Sequence, residues 1–287
     1  MDRAAFLVLI LVAALAGCAP PQPTLVVGSK NFTEQVILGE IVAAQIEQRL
    51  GVHVERKLNL GGTLLAHEAL TSGAIDLYPE YTGTALTQIL HRPIERDAPT
   101  VRRAVQEGYR GWHIEWLPPL GFDDTFAMVV LATTAHDEGL RSLSDAAKRP
   151  WKLGVGYEFT QRPDGLAGLA AAYDLKLDGD PVTMDLGLLY AALKTHAIDM
   201  AAANATDGML GHAEFLVLED DRHYFPPYEC AIVLREDAAR RFPGLDAALR
   251  ALSGKITDAA MRRMNEQVDV EHRAAAEVAR EFVQGLQ

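Results

Sequence analysis

The chain is poor in cysteine and serine, and each shortage narrows its chemistry. Only Cys18 and Cys230 occur in 287 residues, too few for a disulfide framework. The five serines include none in a Gly-x-Ser-x-Gly sequence, which argues against a serine hydrolase built on a nucleophile elbow. No P-loop and no His-Glu-x-x-His sequence is present, and the nine histidines are scattered without ligand spacing, so neither a metal site nor a cofactor is expected. Gly154-Val-Gly156 follows a strand-like run but lacks the third glycine of a dinucleotide fingerprint. Basic residues are outnumbered 27 to 39, giving a formal charge of −12 with no local basic cluster. A nucleic-acid surface needs the opposite balance, so no such partner is expected. The negative charge favours solubility and leaves the ligand unspecified.

Long apolar runs are confined to the N-terminus. Arg3 precedes the run Ala4 to Leu15, which closes in Leu15-Ala-Gly-Cys18. A positive start, an apolar stretch too short to span a bilayer and a small-residue cleavage site read as an export signal over residues 1–17. Cysteine directly after the small residues is the pattern of a lipoprotein signal, with Cys18 carrying the lipid; a plain secretory signal is the alternative. Residues 18–23, through Ala19-Pro-Pro-Gln-Pro23, then form a proline-stiffened tether. These features predict a protein on the periplasmic or extracytoplasmic face of a membrane, held there only by its lipid. Cys230, left alone at the head of an apolar run, reads as a buried structural thiol, since a reactive one would need a basic partner.

Beyond the tether, strand-like and helix-like segments alternate. Thr24 to Gly28 is a short apolar strand, and Thr33 to Leu50 a helix, with Asn31 as N-cap and Glu34 completing a capping box. Val52 to Leu58, Ile114 to Leu117, Phe126 to Leu131, Lys152 to Val155, Ile198 to Ala203, Glu214 to Leu218 and Cys230 to Leu234 read as strands. Helices are expected at 63–70, 100–109, 143–148, 165–173, 186–195 and within 244–284. Such alternation implies α/β lobes with helices on the sheet faces. The expected division is lobe I at residues 24–127 plus 231–287 and lobe II at residues 128–230, joined by two crossovers with a ligand cleft between them.

Two aromatic segments stand out. In Asp76-Leu-Tyr-Pro-Glu-Tyr-Thr-Gly-Thr84, Pro79 is expected to interrupt the strand and present Tyr78 and Tyr81 to a cleft. Tyr224-Phe-Pro-Pro-Tyr228 presents Tyr228 in the same manner. Rings on irregular backbone suit a cationic or apolar small molecule; ordinary packing at a hinge is the alternative.

These segments belong to a larger ordered set. Gly28-Ser-Lys-Asn-Phe-Thr-Glu-Gln35, the Asp76–Thr84 stretch, Pro119-Leu-Gly-Phe-Asp-Asp-Thr-Phe126, Glu158-Phe-Thr-Gln-Arg-Pro-Asp-Gly165, Thr206-Asp-Gly208 and Phe225-Pro-Pro-Tyr228 occur in that order. Together they resemble the glycine betaine/choline/carnitine substrate-binding proteins of osmoprotectant-type ABC transporters, over nearly the whole chain after the tether. The resemblance implies a monomeric, two-lobed periplasmic-binding-protein fold, type II-like, that delivers a small quaternary-ammonium ligand to an ABC permease and its ATPase subunit. In that family an aromatic box surrounds the cation. The resemblance puts one ring at Tyr81, a second at Phe126, a third at the position of Asn204 and a fourth at Tyr228. It places Lys30, Thr84 and Arg162 at the ligand carboxylate and Asp124 near the cation. A quaternary ammonium cannot donate ordinary hydrogen bonds, so ring faces must replace its water, each contributing about 0.5–2 kcal/mol. For the charged residues, simpler roles exist: a solvated Lys30, an Arg162 that staples its own turn, an Asp124 that caps one.

The departures are at Asn204, which removes a wall, and Phe126, which keeps a ring without a hydroxyl. Losing one or two contacts weakens betaine binding by roughly tenfold or more, and Asn204 adds an amide that can donate and accept. A weak betaine site, or a shift to choline, carnitine or the trimethylated histidine derivative ergothioneine, is expected. The competing readings are an amino-acid receptor on the same scaffold and a cleft enzyme using Asp124 or Cys230; the chain shows no acid–base or nucleophile constellation for the latter.

Overall fold

Short strands with apolar central members set the architecture, because a run such as Leu25-Val-Val-Gly28 can be satisfied only where both sheet faces are covered. The computed structural model describes residues 24–286; the signal, Cys18 and the tether expected at residues 1–23 lie outside the described residues. The chain runs through β1 (Leu25–Gly28), β2 (Val54–Lys57), β3 (Leu77–Tyr81), β4 (Ile114–Trp116), β5 (Phe126–Leu131), β6 (Pro150–Trp151), β7 (Leu153–Val155), β8 (Lys176–Leu177), β9 (Val182–Thr183), β10 (Met200–Asn204), β11 (Phe215–Leu218) and β12 (Cys230–Arg235). One sheet has the order β2-β1-β3-β12-β4 and the other β11-β5-β10-β7-β9, while β6 and β8 pair separately. In the first sheet β1 runs parallel to β2 and β3, and β12 returns antiparallel between β3 and β4. The chain therefore leaves the first sheet after β4 and comes back at β12, which gives two crossovers. Phe126 and Ala127 already pair with Asn204 and Ala203 of the second sheet, so a boundary drawn after residue 127 falls inside β5.

The helix Thr33–Leu50 shows how the lobe is assembled. Ile37, Leu38, Ile41, Val42 and Ile46 form one fully buried stripe, each contributing about 1.5–3 kcal/mol relative to exposure. Gly51 ends the helix at φ 66° and returns its N–H to the Glu47 carbonyl, a left-handed position that glycine takes without penalty. The expected capping box does not form: Phe32 is the N-cap, with no side-chain cap bond, and Glu34 is turned inward to other partners. The C-terminal region is three helices, Leu245–Arg250, Asp258–Asp269 and Ala275–Gln284. All three pack on Thr33–Leu50, and Asp258–Asp269 also meets the 3₁₀ turn Gly208–Gly211 that follows β10.

Pro79 corrects the sequence reading. It does not interrupt β3 but sits in its middle, opposite Ile232 of β12. The carbonyls of Cys230 and Ile232 accept from Leu120 and Leu117, so Ile232 turns its backbone away from β3. Pro79 therefore occupies a non-hydrogen-bonded position toward β12, where its missing N–H takes nothing from the β3–β12 ladder. Because the strand stays regular, Tyr78 and Tyr81, three residues apart, point to opposite faces. Tyr78 is in the core, with its hydroxyl donating to Glu80 at 2.8 Å; only Tyr81 faces the cleft. Among the described residues, no helix is long and apolar enough to cross a membrane.

Candidate ligand-binding site

A cleft of about 830 Å³ opens between the two sheets, a size typical of small-molecule sites. All eight candidate residues, Lys30, Tyr81, Thr84, Asp124, Phe126, Arg162, Asn204 and Tyr228, lie on its wall. They come from strand ends and crossovers: Tyr81 closes β3, Phe126 opens β5, Asn204 ends β10 opposite Phe126, and Tyr228 precedes β12. Strand ends gather here because a strand terminus can turn a side chain out of the sheet without disturbing the ladder behind it.

Aromatic rings form one part of the wall. Phe126 meets Tyr228 edge-on at 5.6 Å between centroids and Phe159 at 4.8 Å. Tyr81 stacks with Phe32 at 6.3 Å. Phe32 and Phe159 lie inside two of the ordered motifs, yet nothing local marks them as wall residues. Arg162 lies beside this group, its guanidinium carbon 5.1 Å from the Phe126 ring and 5.6 Å from that of Tyr228.

Arg162 staples its own turn and faces the cleft. Its Nε and Nη2 donate to the two oxygens of Asp164 at 2.9 and 2.7 Å, and Nη1 donates to Thr84 Oγ1 at 3.2 Å. Asp164, fully buried, also accepts from the Tyr228 hydroxyl at 2.6 Å and from Thr87 at 3.0 Å. Asp164 thereby fixes two wall residues, a role that its place in Arg162-Pro-Asp-Gly165 does not reveal. A guanidinium has five N–H groups; three are used, and one remains on each of Nη1 and Nη2, a pair suited to a carboxylate. Lys30 differs from expectation. Its ammonium is 2.5 Å from Glu80, and both side chains are buried, so its charge is already matched inside the protein.

Carboxylates dominate the rest. Glu34, Asp124, Glu158, Asp185, Asp207 and Asp269 line the cleft against Lys30, Arg162 and Lys194, and each of those cations is already paired, with Glu80, Asp164 and Glu214 respectively. Asp124 Oδ1 accepts from the backbone N–H of Thr206 at 3.1 Å and lies 2.7 Å from the Thr206 hydroxyl. The same hydroxyl contacts Glu34 Oε2, which also accepts from Asn265, while Tyr81 donates to Glu34 Oε1 at 2.7 Å. Burial pushes the Glu34 carboxyl up to about 7, against the pull of its donors Thr206, Tyr81 and Asn265. Asp124 is also raised, by burial and then by Glu34 beside it. Burial holds Asp207 at about 6 although Tyr190 donates to it. Glu34 escaped the sequence reading, but its signal was present: an acid in register with Ile37, Leu38 and Ile41 on the buried stripe.

Several bonds join the two halves across the cleft. Glu158 accepts from the Thr63 N–H at 2.7 Å, capping the helix Thr63–Thr71 from the opposite side. Thr206 meets Glu34, and the Asn265 amide donates to the Thr206 carbonyl at 2.9 Å. The arrangement is closed. Cys230 is fully buried, and burial pushes its thiol up, which disfavours the thiolate a nucleophile requires. Among the described residues, no cluster of three His, Cys, Asp or Glu side chains could hold a metal ion.

Comparison with known proteins agrees with this geometry. The family described as the substrate binding domain of the ABC-type glycine betaine transport system matches residues 23–285. A glycine-betaine-binding protein of Pseudomonas aeruginosa is 34% identical over 280 residues, covering 93% of this chain and 89% of the relative. A carnitine transport binding protein of Listeria monocytogenes is 30% identical, covering 98% and 95%. An ergothioneine transport permease/ergothioneine binding protein of Helicobacter pylori is 31% identical over 99% of this chain, which spans only 52% of that relative's length. A solved structure of a glycine betaine/carnitine/choline ABC transporter is 30% identical, with a TM-score of 0.75 and coverage of 91% and 98%. A closed, liganded lactococcal glycine betaine complex, at 14% identity and a TM-score of 0.64, shares the fold. The two-lobed fold and the sequence match over 263 residues together establish that this chain belongs to the family of substrate-binding domains of ABC-type glycine betaine transport systems.

Proposed function

We propose that the cleft captures a small zwitterion carrying a quaternary ammonium group and presents it to an ABC permease driven by its own ATPase. The observation that carries this reading is the pairing of aromatic walls with a surplus of carboxylates whose neighbouring cations are already matched. Rings at Tyr81, Phe126 and Tyr228 replace the water around the cation, with Asp124 as counter-charge. The two remaining N–H groups of Arg162, with Thr84, take the ligand carboxylate. Lys30 supports this end through its pair with Glu80, not as a free charge. Residues 24–125 plus 230–287 and residues 126–229 act as the closing lobes of a monomer, a shift of one or two residues from the division expected at 127 and 230 that keeps β5 and β12 whole. Export to the extracytoplasmic face and a lipid on Cys18 complete the reading; a diacylglyceryl mass on an N-terminal Cys18 peptide is the expected result, and an unmodified Cys18 rejects the anchor.

Asn204 stands opposite Phe126 where the family places a ring, and the cleft leaves room beyond glycine betaine itself. A ligand with a polar extension, of carnitine or ergothioneine type, is therefore favoured. Calorimetry against glycine betaine, choline, carnitine, ergothioneine and proline tests this. Micromolar binding of a quaternary amine is expected, while binding of plain amino acids alone overturns it. Asn204→Tyr restores a wall and should tighten glycine betaine binding about tenfold, the effect of one ring contact near 1.4 kcal/mol; unchanged or weaker affinity removes Asn204 from the specificity argument.

A further inference from the structure

One hydroxyl stands between two acids at the cleft wall. Thr206 Oγ1 lies 2.7 Å from Asp124 Oδ1 and in direct contact with Glu34 Oε2. A hydroxyl has one hydrogen and can donate to only one of them. With both acids ionised, the other contact would set lone pair against lone pair inside a dry site. A proton on either acid resolves the conflict: with it on Glu34 Oε2, Glu34 donates to Thr206 Oγ1 and Thr206 donates to Asp124 Oδ1, and with it on Asp124 Oδ1 the order reverses. Each bridging oxygen also accepts one N–H, Glu34 Oε2 from Asn265 and Asp124 Oδ1 from Thr206, so the proton belongs to the pair and not to one acid.

Among the described residues no cation bonds to either acid; Arg262, of the helix Asp258–Asp269, donates to the neighbouring Ala205 carbonyl. From β3 come Tyr81 and Glu80, from β12 the Cys230 thiol, from the second lobe Asp207 and Tyr190, and from the helix Asp258–Asp269 the Asn265 amide and Asp269. Lys30 is committed to Glu80 and Arg162 to Asp164. Asn265 adds a separate sign that something belongs here. It is 2% exposed and lines the cleft, yet its Oδ1 has no donor. An acceptor left without a partner beside two acids fits the polarised C–H groups of an alkylammonium cation.

We propose that Glu34 is a further residue of the cation subsite, and that the Glu34–Thr206–Asp124 bridge holds one proton in the ligand-free closed cleft, released to solvent when a quaternary ammonium group takes its place. This rests on the ligand class proposed above. The exchange balances: the O–H bond of the protonated acid breaks, the proton leaves to water, and the incoming cation replaces its positive charge. By linkage, whatever releases a proton on binding is opposed by protons. Because burial raises both acids, Glu34 to about 7, affinity falls by up to about tenfold for each pH unit below the midpoint of the pair and is level above it.

The test has two arms. In the ligand-free protein, carboxyl ¹³C titration should show one acid with a midpoint near 7, absent in Glu34→Gln. If every carboxyl of this cluster titrates in the ordinary range of about 4, the shared proton is rejected. Asp124→Asn provides a second variant: with its acceptor neutralised, the Glu34 midpoint should fall, and an unmoved midpoint rejects the coupling. In the second arm, glycine betaine, carnitine, choline and ergothioneine are titrated in buffers of different ionisation enthalpy. The observed enthalpy should depend on the buffer at about pH 6, with nearly one proton released per ligand, and not at about pH 8. Binding with no buffer dependence overturns the exchange while leaving the ligand class standing. Absence of binding by all four probes overturns the ligand class and the exchange together, and the first arm still decides whether the acids share a proton.

Discussion

Asp164→Asn should destabilise the protein by about 3–5 kcal/mol, the typical cost of leaving a buried charge without its partner. Asp164 is fully buried and accepts two bonds from Arg162, one from Tyr228 and one from Thr87. An asparagine keeps the shape but removes the charge and turns one acceptor into a donor that faces other donors. Arg162 would then be a buried cation with no anion, and Tyr228 would lose the anchor that orients its ring. Ligand affinity should fall by two decades or more, about 2.7 kcal/mol, because both the carboxylate end and one aromatic wall shift together. Denaturant unfolding and calorimetry measure the two effects. Replacing the pair by Arg162→Met with Asp164→Leu should recover much of the stability, since no charge is stranded, but not the binding. A loss of stability under about 1 kcal/mol in Asp164→Asn, the range of an exposed pair, would show that the cluster is solvated.

Gly208→Ala should hold the lobes apart. A Cβ at Gly208 would lie 2.4 Å from the Glu266 nitrogen and 2.5 Å from its Cα, and these are backbone atoms of the helix Asp258–Asp269, which cannot rotate aside. Gly208 does not have positive φ, so alanine is tolerated within its own turn; the clash lies across the cleft. Closure is then prevented while each sheet keeps its packing. Ligand binding should weaken at least about 100-fold, the worth of the contacts that only the closed cleft makes. The radius of gyration in solution should stay at its open value when ligand is added. Wild-type affinity together with ligand-induced compaction would show that the two halves meet differently in solution.

The alternation of strands and helices was legible in the sequence because its signals are local. Apolar runs such as Phe126-Ala-Met-Val-Val-Leu131 and glycine punctuation such as Gly51 act within a few residues of themselves. That eight residues would share one cleft wall was also legible, because seven sit in short ordered motifs and Asn204 lies two residues before one; their part in binding is the proposal made above. Where local rules misled, a neighbour in space overrode them. Pro79 passes through β3 because Ile232 presents no hydrogen-bonding backbone to it. Glu34 satisfies every local requirement of a capping box, yet Tyr81, Thr206 and Asn265 draw it into the cleft.

The sequence by itself determined the α/β alternation, eight residues of the cleft wall and the family to which their motifs point. Only the tertiary structure decided how the charges are matched: Lys30 with Glu80 across fifty residues, Arg162 with the Asp164 that also anchors Tyr228, and Glu34 with Asp124 through one threonine hydroxyl. Secondary structure follows from interactions a few residues long. An ion pair instead depends on distance and dielectric, which no spacing along the chain contains.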